Sequence, residues 1–201
     1  MPLRHSWALP LLTALTSLVA GWLVAHMLAQ KPLTLHAGTW LQRPRELAPL
    51  RLTDMNGRKF TSSDLVGHPS LVFFGFTHCP DICPTTLATI NVALEQATVT
   101  GLRALFITVD PERDQPHVLK AYLHQYNDAI VGLEGEPSAL ATLLRSFSAS
   151  SAARPRANGF DHSATVYLLD SKGRLVAVFT PPLSAQGLSS DLRALAAASK
   201  L

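Results

Sequence analysis

The sequence has few cysteines and few charged residues, and each shortage excludes a class of protein. Two cysteines in 201 residues exclude a secreted scaffold held together by several disulfides. Charged side chains make up 15% of the chain and the formal net charge is +3, which excludes a strongly basic nucleic-acid binder and a disordered tail. The length favours one domain with its own hydrophobic core.

The longest stretch without charge lies near the N-terminus. From Trp7 to Ala29 there is no Asp, Glu, Lys or Arg, and most residues are apolar. A helix needs about 20 apolar residues to cross the hydrocarbon core of a bilayer. We therefore predict a single transmembrane anchor within residues 1–29. A cleaved signal peptide is the alternative, but Met27 and Ala29 would form a poor cleavage site.

The rest of the chain divides into a tether and one domain. Residues 30–48 contain two prolines and a glycine and follow no clean period, which predicts a tether. The domain then covers residues 49–201. It begins with an Asn56-Gly57 pair between apolar residues, which predicts a β-hairpin.

Strand and helix patterns alternate through this domain. Two continuous apolar runs predict strands that are covered on both faces, as in a parallel sheet. The order, a hairpin followed by βαβαβα and then ββα, predicts a thioredoxin-like α/β fold. The predicted strands cover residues 71–76, 104–109, 130–133, 164–169 and 175–179, the predicted helices residues 84–97, 114–126, 137–147 and 188–198, and a predicted loop residues 148–153.

The two cysteines lie where a thioredoxin-like fold carries its reactive motif, between the first core strand and the first helix. Cys79 and Cys83 have CxxxC spacing, not the CxxC of dithiol oxidoreductases. Pro84 suits the first helical position, which would make Cys83 the N-cap, where the helix end favours thiolates. Two thiolates suit Cu(I) or Zn but are too few for a closed zinc site. A small-loop disulfide or two inert thiols are the alternatives.

A third metal ligand would have to come from elsewhere, and the chain has eight histidines. His162 precedes the predicted strand 164–169, in the loop that faces the cysteine motif in a thioredoxin-like fold. A lone loop histidine is more often not a ligand, so spacing alone leaves His162 open. His78 adjoins Cys79 and is a candidate for lowering the pKa of a thiol instead.

Three blocks of sequence resemble the SCO family, membrane-tethered copper chaperones for cytochrome c oxidase assembly. The resemblance covers residues 38–197. The blocks are Thr-His-Cys-Pro-Asp-Ile-Cys-Pro-Thr-Thr within residues 75–87, Asp-Pro-Glu-Arg-Asp at 110–114, and Asp-His-Ser at 161–163.

The resemblance implies a copper site made of Cys79, Cys83 and His162. Two thiolates and an imidazole suit trigonal Cu(I), whereas Cu(II) would need a further oxygen or nitrogen donor. Asp161 would fix the tautomer of the imidazole, a turn-forming role being the alternative. In the 110–114 block we expect a loop in which Asp114 caps the next helix, with partner docking as the alternative.

The function implied is that of a copper chaperone without enzymatic activity. It would deliver copper to the copper-site subunit of cytochrome c oxidase and would need a copper donor protein and a thiol reductant. Residues 1–29 would be a cytoplasmic tip and single-pass anchor in a bacterial inner membrane, with the domain in the periplasm.

Two other functions remain open. A thiol–disulfide reductase would use Cys79 and Cys83 as a redox-active pair and would not need His162. Because a Cys79–Cys83 disulfide cannot bind Cu(I), this activity is compatible with the chaperone role. A peroxidase or redox sensor with Cys79 as the nucleophile is the third hypothesis.

Overall fold

The computed structural model describes residues 13–22, 34–149, 152–156, 159–161 and 164–201, with 152–156 and 159–161 described by their backbone. The chain forms two compact units, Met1–Thr34 and Leu35–Leu201. In the first unit residues 13–22 are helical (α1), and the remainder of the predicted anchor lies outside the described residues. In the ranges that are described, no helix combines the length and the hydropathy needed to cross a membrane.

The second unit is built on an eight-stranded mixed sheet in the order β1-β10-β9-β4-β5-β6-β2-β3. The three central strands β4, β5 and β6 are parallel, and β9 is antiparallel to β4. The strands are β1 Gly38–Arg45, β2 Arg51–Asp54, β3 Lys59–Thr61, β4 Ser70–Gly75, β5 Arg103–Thr108, β6 Ile130–Glu134, β9 Val166–Leu169 and β10 Leu175–Phe179, while β7 Ala152–Arg156 and β8 Gly159–Asp161 form a separate two-stranded sheet.

Four helices flank the sheet. They are α2 Ile82–Ala97, α3 Pro116–Leu123, α4 Pro137–Ser146 and α5 Ala185–Ala197. On one face, Val72 and Phe74 of β4 join a buried cluster with the leucines of α4. On the other face, Phe106 of β5 packs against Tyr122 of α3 with ring centroids 5.9 Å apart, and α2 packs along α5.

Most of the predicted elements are confirmed. The hairpin at Asn56-Gly57 is β2–β3, closed by Gly57 at φ +79°, a backbone conformation that glycine adopts without steric cost. The two apolar runs form the parallel pair β4–β5, in register from Ser70–Arg103 to Gly75–Thr108. Both strands are almost entirely buried, as strands covered on two faces must be.

Three predictions are corrected. Within the predicted tether, Gly38–Arg45 is strand β1 and pairs antiparallel with β10. It was missed because its buried and exposed residues do not alternate. The last helix begins at Ala185 rather than residue 188, since the Ser184 side chain accepts a hydrogen bond from the Gly187 N–H at 3.1 Å and caps it. Part of the loop predicted over residues 148–153 belongs to β7.

Candidate metal centre

The two cysteines lie beyond the carboxyl end of β4. Cys79 lies on the loop of residues 76–81, which we name the cysteine loop, and Cys83 lies in the first turn of α2. Helix α2 begins at Ile82 with Asp81 as its N-cap. Cys83 is therefore the second residue of the helix, and the prediction that Cys83 is the N-cap is wrong. Pro84 is the third residue, which is tolerated because amides of the first turn have no partner within the helix.

The two sulfurs differ in their exposure. Cys83 is fully buried, whereas Cys79 is partly exposed, and both are free thiols. The Cys83 backbone N–H donates a weak hydrogen bond to Cys79 Sγ, with 3.4 Å between nitrogen and sulfur. The pair therefore presents one sulfur to an incoming molecule and keeps the other inside the fold.

Burial strongly raises the pKa of the Cys83 thiol above its ordinary value. A hydrogen bond from the Phe76 backbone lowers this pKa, while Cys79 and the charge of Asp114 raise it further. Burial of Cys83 therefore opposes the stabilisation of its thiolate that the helix end was expected to give. A metal ion that binds Cys83 has to displace its proton.

Gly75, the last residue of β4, makes room for the Cys83 sulfur. A Cβ atom at this position would lie 2.9 Å from Cys83 Sγ and 2.6 Å from Cε2 of Phe106. Both distances are well below the ordinary carbon contact distance of about 3.5–4.0 Å. Sequence reasoning missed this role, because a glycine before a turn does not indicate which side chain packs against it.

Asp114 is the second residue that sequence reasoning assigned incorrectly. The N-cap residue of helix α3 is Gln115 and not Asp114, and no side chain caps this helix by a hydrogen bond. The Asp114 carboxylate is fully buried and accepts three hydrogen bonds: from the Thr77 N–H at 2.9 Å, the Thr77 hydroxyl at 2.5 Å and the Thr108 hydroxyl at 2.6 Å. It therefore joins the cysteine loop to the end of β5.

The neighbouring polar groups complete this side of the centre. His78 is half exposed, and its Nδ1 lies 3.0 Å from the Thr77 hydroxyl and 3.8 Å from Asp114 Oδ1. Asp110 is buried and paired with the guanidinium of Arg113. The 110–114 block is thus a tightly bonded loop, as expected, but Asp114 binds Thr77 and Thr108 instead of capping α3.

A tyrosine hydroxyl lies buried near the two thiols. The Tyr122 side chain packs against that of Tyr126, with ring centroids 6.3 Å apart. Burial raises the pKa of Tyr122, and Tyr126, Cys83 and Cys79 add to the effect by electrostatic repulsion of its charged form.

The side chains of the two remaining predicted site residues are not described by the structure. His162 lies outside the described residues, and for Asp161 the backbone alone is described, paired with Ala152 in the β7–β8 sheet. Strand β9 follows four residues after His162, and its first residue, Val166, pairs with Phe73 near the carboxyl end of β4. Within the described ranges, no three His, Cys, Asp or Glu side chains converge as a metal site would require.

Comparison with known proteins gives a consistent result. The SCO1/SenC family model matches residues 40–197. A SCO2-like protein of Rickettsia prowazekii is 35% identical over 164 residues, which are 78% of this chain and 80% of that protein. The structure of Bradyrhizobium japonicum ScoI with copper bound is 38% identical, with a TM-score of 0.66, and the match covers 73% of this chain and 97% of that one.

A second solved structure, yeast Sco1 with copper bound, is 32% identical, with a TM-score of 0.66, over 74% of this chain and 87% of that one. The thioredoxin-like α/β fold predicted from the order of strands and helices agrees with these structures. The family model covers the cysteine loop, the 110–114 block and the 161–163 block that carried the resemblance. The chain belongs to the SCO1/SenC family.

Proposed function

We propose that this chain is a copper-binding chaperone that delivers copper to cytochrome c oxidase during assembly of the oxidase. The observation that carries the proposal is the Cys79–Cys83 pair, with one sulfur partly exposed and the other buried at the carboxyl end of β4. Two solved relatives above 30% identity are described as copper-bound. The family resemblance supplies the oxidase as the acceptor.

The residues present fit copper as a cargo. Two thiolates are soft ligands that suit Cu(I). Cys83 lies fully inside the fold, so it would hold the ion, whereas the partly exposed Cys79 is the ligand that an acceptor reaches first. Transfer by stepwise ligand exchange would begin at Cys79.

We propose His162 as the third ligand. The support is the register of the sheet: Val166 pairs with Phe73, so the chain enters β9 at the same edge where β4 ends and the cysteine loop begins. An imidazole from this segment would give Cu(I) a trigonal site, with Asp161 fixing its tautomer. Three ligands leave a position through which the ion can be exchanged; Cu(II) would use it for a further oxygen or nitrogen donor.

The location and partners complete the proposal. Residues 1–29 would form a cytoplasmic tip and single-pass anchor in a bacterial inner membrane, with the copper-binding domain in the periplasm. The partners would be the copper-site subunit of cytochrome c oxidase, a copper donor protein and a thiol reductant. The uncharged stretch from Trp7 to Ala29 supports the anchor.

The different exposure of the two sulfurs also supports a second function, a thiol–disulfide reductase that prepares the cysteines of the oxidase copper centre. The Cys79 thiolate would attack a target disulfide and form a mixed disulfide, releasing one target thiolate. Cys83, deprotonated, would then attack Cys79 Sγ and release the second. Two electrons pass to the target and a Cys79–Cys83 disulfide remains, which the thiol reductant would have to reduce.

Competition of the full-length protein with a Cu(I) chelator tests the chaperone proposal. Wild type should bind one Cu(I) per chain. His162→Ala should bind more than about 100-fold more weakly, since loss of an outer-shell partner alone costs about 10- to 100-fold. His124→Ala, which removes an exposed histidine near the end of α3, is the matched control and should bind as wild type does.

Oxidase assembly in cells separates the two functions. If Cys83→Ser abolishes assembly while His162→Ala supports it normally, reduction of the target is the main role. If both variants abolish assembly, copper delivery is supported. Unchanged Cu(I) affinity in His162→Ala would contradict the proposed ligand set.

A further inference from the structure

The cysteine loop is held in place by a residue that is not among the proposed ligands. We propose that Asp114 is a positioning residue for the metal centre: it fixes the turn that carries Cys79 and so sets the position of the Cys79 sulfur relative to Cys83. The effect on copper rests on the proposed function, but the effect on the geometry of the two thiols does not.

The first support is what Asp114 binds. Two of its three hydrogen bonds come from Thr77, through the backbone N–H and the hydroxyl. Thr77 is two residues before Cys79, and the Cys79 N–H closes the same turn onto the Phe76 carbonyl at 3.3 Å. Asp114 therefore fixes both the backbone and the side chain of the residue from which the turn to Cys79 starts.

The second support is that Asp114 is itself held rigidly. The Thr108 hydroxyl, at the end of β5, donates to Asp114 Oδ2 at 2.6 Å and accepts from the Asp110 N–H at 3.0 Å. The Asp114 N–H donates to the Asp110 carbonyl at 2.9 Å. The Asp114 carboxylate thus anchors the cysteine loop, which has no strand or helix of its own, to the end of the central strand β5.

If Asp114 acted only through its charge, replacing it would have the opposite effect on Cu(I) binding. Two thiolates and Cu(I) carry a net charge of −1, and the negative charge of Asp114 lies close enough to Cys83 to disfavour its thiolate. Removing that charge alone should therefore strengthen Cu(I) binding. Positioning predicts the reverse, because an amide has a single acceptor oxygen and cannot accept the three hydrogen bonds that the carboxylate accepts.

Four variants of the full-length protein test the proposal. Thr77→Val removes the hydroxyl bond to Asp114 and leaves the charge, and Thr77→Ser restores a hydroxyl. Asp114→Asn removes the charge and one acceptor. Asp170→Asn is the matched control, because Asp170 is also buried and closes the turn at residues 171–174 through four hydrogen bonds.

Asp170 lies at the opposite edge of the sheet, following Leu169, which pairs with Ser70 at the start of β4. A general loss of stability would therefore appear in Asp170→Asn as well, while a loss of cysteine geometry would not. Thermal unfolding of each variant confirms that it is folded. Two readouts then follow: the alkylation rates of Cys79 and Cys83 in the metal-free protein, resolved by mass spectrometry, and Cu(I) affinity by chelator competition.

Thr77→Val and Asp114→Asn should both raise the alkylation rate of Cys83 relative to Cys79 and weaken Cu(I) binding about tenfold. Thr77→Ser and Asp170→Asn should match wild type in both readouts. Unchanged alkylation rates in Thr77→Val, or tighter Cu(I) binding in Asp114→Asn, would overturn the proposal. If wild type bound no Cu(I), the chaperone function would fail, and the alkylation rates would still decide the positioning role.

Discussion

Replacing Gly75 by alanine tests the closest contact in the metal centre. The new Cβ would lie 2.9 Å from Cys83 Sγ and 2.6 Å from the Phe106 ring, so these atoms must separate by about 0.6–1.4 Å to reach ordinary contact. Such a shift exceeds the tolerance of about 0.5 Å within which a binding site must be held. We expect Cu(I) binding to weaken by about tenfold or more.

The same substitution should also destabilise the fold. Overpacking costs about 1–3 kcal/mol, and each kcal/mol lowers the Tm of a chain of this size by about 2–4 °C. Gly135→Ala is the matched control: its Cβ would lie 2.6 Å from Leu52 Cδ2, and Leu52 belongs to the buried cluster on the face of the sheet opposite Phe106. We expect a comparable loss of Tm with unchanged Cu(I) affinity.

Thermal unfolding and competition with a Cu(I) chelator, measured on both variants, test whether Gly75 sets the position of Cys83. A Gly75→Ala protein that binds Cu(I) as tightly as wild type would refute the claim that Gly75 sets the position of Cys83. A Gly135→Ala protein that loses affinity equally would show that any loss of stability weakens binding, and the claim would again be refuted.

Three further predictions concern other parts of the fold. Asp191→Ala should lower the free energy of unfolding by about 2–4 kcal/mol, measured by urea denaturation, because the Asp191 carboxylate binds the N–H groups of His36, Ala37 and Gly38; a change below about 0.5 kcal/mol would contradict this. Phe147→Ala should cost about 3–5 kcal/mol, since Phe147 packs edge-on against Tyr167 at 4.9 Å and Phe74 at 5.2 Å, and Cu(I) affinity should not change. Burial raises the pKa of Asp54, but hydrogen bonds from Arg58 and Asn56 outweigh it, so the net shift is downward; its stabilisation is therefore present above the unfolded value of 3.8 and is lost as pH falls through the folded pKa. Asp54→Asn should thus be less stable than wild type at pH 7 and approach it below the folded pKa in pH-dependent urea denaturation, and a constant difference at all pH values would contradict the assignment.

Local signals predicted those parts of the fold that depend on neighbouring residues. The Asn56-Gly57 turn requires a residue tolerant of positive φ, and Gly57 supplies it. The apolar runs of β4 and β5 predicted buried parallel strands because both faces of each strand are covered. The CxxxC spacing and its place between strand and helix likewise predicted the position of the two cysteines.

The missed features depend on contacts between distant parts of the chain. Asp114 binds Thr77, which lies 37 positions earlier in the sequence. The position of Asp114 two residues before Pro116 indicated a helix cap, but its hydrogen-bond partner lies on another loop. Strand β1 is formed by pairing of Gly38 with Phe179 and of its neighbours along β10. The role of Gly75 depends on Cys83 lying directly above it, which no local pattern encodes.

X-ray absorption at the copper edge of the Cu(I)-loaded full-length protein tests the central claim most directly. The account predicts two sulfur ligands and one nitrogen ligand per copper, at one copper per chain. His162→Ala should retain the two sulfurs and lose the nitrogen, whereas Cys79→Ser should lose one sulfur. A copper site with fewer than two sulfurs in wild type, or a nitrogen ligand that persists in His162→Ala, would contradict the account.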